Sequence, residues 1–227
     1  MVGKTVRAGT AAERMRTLLA GTESLTLRTP DHRAELAGRH TVDPAGRLRL
    51  TLPADSRVAR HLLAAGEVAA QVEVTGLAPV PMRDRVRSRA TLSGWLTAAD
   101  PGGVDVSARL DLVTAELVDA DGDAPVAPED LAAARPDPLA ADEADLLRRL
   151  GDDGQQTVRT LAQLVPGPLR REARRIHPLR LDRCGLVLRL ESATGHRDVR
   201  LPFTRSLRGP DQVPAEIARL LARCAPR

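Results

Sequence analysis

The 227-residue chain is short of aromatic side chains, with one tryptophan, one phenylalanine and no tyrosine. Single-stranded nucleic acids are gripped largely by bases stacking on aromatic rings, so the scarcity argues against such a partner. The chain has only two cysteines, Cys184 and Cys224, and no Cys/His cluster with zinc-finger spacing. Apolar runs are a few residues long, so no stretch reads as a membrane span, and the opening residues MVGKTVRAGTAAERMRTLL lack the apolar core of a secretory signal. A cytoplasmic protein with reduced thiols is the expectation. Also missing are a Gly-x-Ser-x-Gly elbow, a phosphate-binding Walker loop and a His-Glu-x-x-His zinc motif. Lysine occurs once, at Lys4, while the other 33 of the 34 basic residues are arginines, a bias that GC-rich coding explains without a functional cause.

What is present is a formal charge of +4, unevenly spread. Residues 1–123 hold 16 basic and 16 acidic side chains. Asp119 to Asp145 holds nine acids and one arginine, and Leu169 to Arg208 holds eleven arginines and four acids. Hydrophobic residues make up 42% of the chain, enough for a substantial core.

Local patterns predict mixed structure. Thr10 can cap a helix from Ala11 to about Ala20. ESLTLR reads as a strand, and Glu35 to Val42 with Arg47 to Leu52 reads as a hairpin around Asp43-Pro44-Ala45-Gly46. Asp55 or Ser56 caps a helix carrying Val58, His61 and Leu62, which Gly66 ends. Three long alternating stretches follow, and in the last the apolar parity changes near Val113, which predicts a bulge or a bend. Residues 119–141 have no sustained period and read as a linker with one helical turn near Pro128 to Ala134. Helical patterns then lead into three short strands between Ile176 and Phe203, predicted to have one apolar and one basic face, and Pro214 begins a last helix. The expected class is α+β, with a split β-barrel over residues 1–120, an acidic Ala/Pro linker over 121–141 and an α-β-β-β-α domain over 142–227.

This order resembles the heme-utilisation proteins of the HugZ/HutZ type and the plant glutamyl-tRNA reductase-binding protein. Both join a pyridoxamine-phosphate-oxidase-like, FMN-binding split barrel to a small C-terminal domain. The resemblance rests on Gly46-Arg47-Leu48-Arg49-Leu50 and the helix from Ser56 to Leu63. It rests more specifically on Leu181-Asp182-Arg183-Cys184-Gly185-Leu186 with Val199-Arg200-Leu201-Pro202-Phe203. The stretch matching the family's His-Met-Asn-x-Asp-His helix is Arg149-Leu150-Gly151-Asp152-Asp153-Gly154, which keeps Asp153 and neither histidine. Heme-binding members carry an axial histidine close to the C-terminus, whereas the last histidine of this chain is His196, a departure from that pattern.

The resemblance implies a homodimer that binds heme, another tetrapyrrole or FMN, with an oxidoreductase-like role. Two sets of residues suit such ligands. Arg85, Arg87, Arg89, Thr91 and Ser93 alternate along one strand face and could hold a flavin phosphate, or could be an ordinary solvated face. Trp95 shares that face and would serve as an interface anchor. His177 and His196 flank the arginine-rich strands and are the heme-ligand candidates. Arg170, Arg171, Arg174 and Arg175 are expected on one side of a short helix, where they would attract an anionic cofactor or an acidic protein patch. The rival reading is a non-catalytic regulatory or protein-binding homodimer that has lost the cofactor site.

Overall fold

The computed structural model describes residues 8–100, 104–152 and 155–224, so Asp153 and Gly154 of the helix comparison lie outside the described residues. The chain forms two compact units. One, the barrel unit, comprises Thr10–Gly76 and Ser88–Pro136; the other, the C-terminal unit, takes residues 77–87 together with the chain from Asp137 onward. No helix among the described residues is long and apolar enough to cross a membrane.

The barrel unit opens on helix α1 (Ala11–Gly21), closed at its start by a reciprocal pair. The Glu13 amide donates to Thr10 Oγ1 at 3.2 Å, and the Thr10 amide donates to the Glu13 carboxylate at 2.9 Å. Strands β1 (Ser24–Arg28), β2 (Arg33–Ala37), β3 (His40–Val42) and β4 (Leu48–Pro53) follow. The first arm of the expected 35–42 hairpin is thus broken at Gly38-Arg39, with Gly38 at φ +64°. Helix α2 (Arg57–Ala65) is capped by Ser56 Oγ, which accepts from the Ala59 amide at 3.2 Å, and ends at Gly66 with φ +81°. Strands β5 (Glu67–Leu77), β6 (Val86–Asp100), β7 (Asp105–Asp119) and β8 (Gly122–Val126) complete the sheet.

The sheet runs β2-β1-β5-β6-β7-β4-β3. Its two ends, β2 and β3, are consecutive in sequence and joined by only two residues. A link that short spans roughly 7–11 Å, so the ends lie side by side and the sheet must curl round on itself. The result is a split barrel. Strand β7 makes the split: along one edge its start pairs with β4, through Asp105 to Arg109, and its end pairs with β8, through Ala115 to Asp119. Between them the register slips, Ser93 facing Thr114 and Gly94 facing Leu112, so Val113 is the bulged residue that changes the parity. Inward-facing Leu27, Leu50, Val72, Leu92, Leu110 and Leu117 form one core with Met15 and Leu19 of α1.

Strand β8 and helix α3 (Pro128–Ala133) occupy the stretch expected to be linker. Val126, Leu131 and Ala134 are buried in the barrel core. Gly46, at φ +81°, lies so close to the Leu131-Ala132 backbone that no Cβ fits there.

The C-terminal unit contains α4 (Glu143–Asp152), α5 (Gln155–Leu161), α6 (Gly167–Glu172), strands β9 (Arg175–Asp182), β10 (Gly185–Glu191) and β11 (His196–Pro202), and α7 (Val213–Ala222). The three strands form an antiparallel sheet with β10 in the middle. Leu186, Leu188, Leu190, Leu201 and Phe203 join Leu147, Leu161, Ile217 and Leu220 of the helices in one core. The opposite face is not the basic, solvated surface expected from its arginines, because every residue of β10 is buried. Residues 77–87 cover that face, packing Ala78 and Met82 against Leu179 and Val187. The arginine run is corrected too: α6 ends at Glu172, so Arg170 and Arg171 are helical, Arg174 lies beyond the helix and Arg175 starts β9.

The residues that carry the family resemblance build the turn between β9 and β10. Arg200 donates a two-pronged fork to Asp182 at 2.9 and 2.8 Å, and the Cys184 amide donates to Asp182 at 2.9 Å. A Cβ at Gly185 would strike the Leu201 carbonyl. The Phe203 amide closes onto the Cys184 carbonyl at 3.0 Å. The motif is architectural, an anchored turn.

Helix α7 is fastened by Glu216, whose carboxylate accepts from the Thr204 amide at 2.9 Å, from the Thr204 hydroxyl and from Arg219. Burial works to raise its pKa, but the bonds from Thr204 and Arg219 outweigh it and hold the group below its ordinary value. The stabilisation is therefore complete above the unfolded value of about 4.3 and is lost as pH falls through the lower folded value. Glu216→Gln should flatten the acid limb of stability against pH, measured by urea unfolding at successive pH values; an unchanged limb would refute the assignment.

Candidate functional site

The two sets of candidate residues fall in different settings. In the β6 set, Arg85 and Arg87 belong to the C-terminal unit and Arg89, Thr91 and Ser93 to the barrel unit. Arg85 donates Nε and Nη2 to the Ala78 carbonyl at 2.9 and 2.8 Å. Arg87 grips the buried carboxylate of Glu143 at 2.5 and 2.9 Å and reaches the Leu179 carbonyl at 3.3 Å. Both guanidinium groups are thereby engaged within their own unit. Arg89 is exposed and Thr91 and Ser93 half-buried, opposite the core residues Ala90 and Leu92. Trp95, two residues further along the same face, is 47% exposed. Gln71 of β5 approaches the Ser93 hydroxyl at 3.5 Å.

The histidines flank β10. His177 on β9 pairs in register with Arg189, and His196 on β11 pairs with Glu191. His177 Nε2 is buried without a hydrogen bond, 3.8 Å from Glu191 Oε2. Glu191 is itself held by the Arg83 amide at 2.9 Å. His196 is exposed and turns Nδ1 toward Asp84 Oδ2 at 3.8 Å, too long for a direct hydrogen bond.

His196 also stands at a cleft of about 390 Å³, within the roughly 300–1,000 Å³ typical of small-molecule sites. Leu169 of α6 and Leu190 of β10 give it apolar walls; Ser192, Thr194 and Arg197 line it with polar groups, and Glu172 adds one acid. His177 does not line this cleft. The structure therefore brings His196 to a ligand-sized space. Arg197 was not singled out by sequence, since one arginine among eleven carries no signal; its pairing with Leu190 across the β10–β11 turn is what selects it. Asp84 and Glu191 were equally hidden, because Asp84 lies 112 residues from His196. Among the described residues, no three His, Cys, Asp or Glu side chains gather as a metal site.

An iron-bound macrocycle needs an accessible imidazole, an apolar wall and a cation for its carboxylates. His196, Leu169 and Arg197 line this cleft, with His196 pairing across the sheet with Glu191 and Arg197 with Leu190, so the two side chains leave opposite faces of β11, and Leu190 itself is only 3% exposed.

No protein-family model matches the sequence, and no curated protein does. Among solved structures the chain is similar to a heme binding protein from Mycobacterium smegmatis, at 19% identity and TM-score 0.63, with 96% of this chain and 99% of that one covered. A protein of unknown function from Agrobacterium tumefaciens matches at 19% identity and TM-score 0.39 over 93% and 95% of the two chains. An FAD and heme binding protein from Mycobacterium smegmatis matches at 20% identity and TM-score 0.38, over 56% of this chain and 80% of that one. By fold, then, the chain is an α+β split-barrel protein built along its whole length like the first of these.

Proposed function

We propose that the chain binds heme or a related tetrapyrrole at the His196 cleft, where His196 would hold the iron and Arg197 would pair with a carboxylate of the ligand. The observation that carries this reading is the exposed side chain of His196 beside a cleft of about 390 Å³ that Leu169 and Arg197 also line. Full-length likeness of fold to a heme binding protein supports it. Bound heme would supply redox chemistry at iron. The chain's own part would be to offer the imidazole of His196, to give Leu169 as an apolar contact and to neutralise a carboxylate with Arg197.

Titration of the protein with hemin should produce a shifted Soret band at micromolar concentration. His196→Ala should weaken binding by about tenfold or more, since the ligand bond is lost, and His177→Ala should leave it nearly unchanged. Absence of the shift, or wild-type affinity in His196→Ala, would refute the proposal.

A second reading has its own observation. Trp95, with Arg89, Thr91 and Ser93 beside it, presents an exposed aromatic on a polar strand face. That suits a homodimer contact or the phosphate of FMN, and such a dimer needs no catalytic role. Trp95 is the only tryptophan, so its fluorescence reports directly on this face. A blue shift with rising protein concentration supports the dimer, and quenching by FMN supports the flavin.

A further inference from the structure

Arg16, on α1 in the barrel unit, is only 5% exposed, yet its guanidinium is almost unmet. Nη2 donates to the Asp43 carbonyl at 3.4 Å, while Nε and Nη1 are buried with no acceptor. The Asp43 carboxylate is engaged elsewhere, taking the Arg47 side chain at 2.9 Å and the Arg47 amide at 3.0 Å. Arg135, whose guanidinium donates to the Pro44 carbonyl, brings a second positive charge. Burial, and after it the like charge of Arg135, lower the pKa of Arg16, with Asp43 pulling the other way. An arginine nevertheless stays a cation. A buried cation without a counterion is among the costliest arrangements a core can hold, and a missing partner is its simplest explanation.

The space for that partner is a cleft of about 310 Å³ lined by Arg16, Leu19, Thr22, His40, Val42 and Pro136 among others. His40 Nε2 lies 3.3 Å from the Leu19 carbonyl, which can only accept, so Nε2 carries the ring proton. Its Nδ1 is buried without a partner as well. Two orphaned polar side chains thus line one cleft whose remaining walls are largely apolar.

We propose that this cleft binds a small organic oxyanion, its carboxylate or phosphate head on Arg16 and its apolar body against Leu19, Val42 and Pro136. The volume exceeds what a bare ion fills, and the apolar walls would be wasted on one. No residue is shared with the His196 cleft, so this site stands or falls independently of the tetrapyrrole reading.

The test is calorimetric titration of the full chain, in a buffer free of other oxyanions, with hexanoate in one arm and inorganic phosphate in the other. Saturable one-to-one binding is expected, weakened at least about tenfold in Arg16→Met because a charge-assisted hydrogen bond is lost. Hexanoate binding more tightly than phosphate identifies a carboxylic acid with an apolar tail; the reverse order identifies a phosphorylated ligand. No binding of either probe at concentrations on the order of 10 mM, or equal binding to Arg16→Met, overturns the proposal. Should that variant fail to fold, the Arg16 Nε–Hε NMR resonance of the wild type decides: it must move in step with saturation, and a static resonance overturns the proposal.

Discussion

Arg189→Met is expected to destabilise the C-terminal unit by about 3–5 kcal/mol, the range for breaking a buried ion pair from one side. Arg189 is 2% exposed in the middle strand of the three. Its Nε and Nη2 fork onto Asp198 at 2.8 and 2.7 Å. Its Nη1 donates to the carbonyls of Asp84 and Val86 at 2.6 and 2.9 Å. Methionine refills much of the volume but leaves a carboxylate and two carbonyls without donors, and each unmet group carries its own desolvation penalty. Urea unfolding followed by far-UV circular dichroism measures the loss. A change under about 1 kcal/mol, the scale of an exposed pair, would mean that water replaces the arginine and that the face is not sealed.

Glu143→Ala should cost a similar amount, about 3 kcal/mol or more, for a related reason. Its buried carboxylate takes both prongs of Arg87 and, in addition, the Leu181 amide at 3.0 Å. The single change therefore strands a guanidinium and a backbone amide together. A double-mutant cycle separates the two effects. Arg87→Met in the Glu143→Met background should cost far less than the sum of the single changes, because an apolar pair in place of an ion pair is close to neutral. Full additivity would show that Arg87 and Glu143 do not meet in solution.

Much of the architecture was legible because it rests on short-range rules. Thr10 announces a helix start, Asp43 to Gly46 announces a turn, and the parity change at Val113 announces a bulge or a bend, which the register of β6 and β7 resolves as a bulge. The misreadings have one physical cause, which is that local pattern cannot report distant cover. Leu186, Leu188 and Leu190 face one side and Val187 and Arg189 the other, as in a half-exposed strand, yet residues 77–87 bury that second side, and Arg189 is satisfied in part by carbonyls about a hundred positions away. The middle of that covering segment, Ala-Pro-Val-Pro-Met-Arg-Asp from Ala78 to Asp84, has no helical or strand period to announce it. The same limit applies to the candidate sites: His196 could be nominated from sequence, but Asp84, 112 positions away, became its neighbour only through folding. Arg16 carries no local signal of its burial either, since nothing in the sequence around it tells a solvated arginine from a buried one.

The membership of residues 77–87 in the C-terminal unit has a consequence for how the protein is made. A ribosome delivers this segment some hundred residues before the strands it will cover exist. During that interval Ala78, Val80 and Met82 have no sheet to lie on, so the nascent chain carries an apolar ribbon between two strands whose own sheet is already being laid down. Translation that stalls anywhere after β6 and before β10 leaves that ribbon bare, which makes the half-made chain, more than the finished one, the natural client of a chaperone.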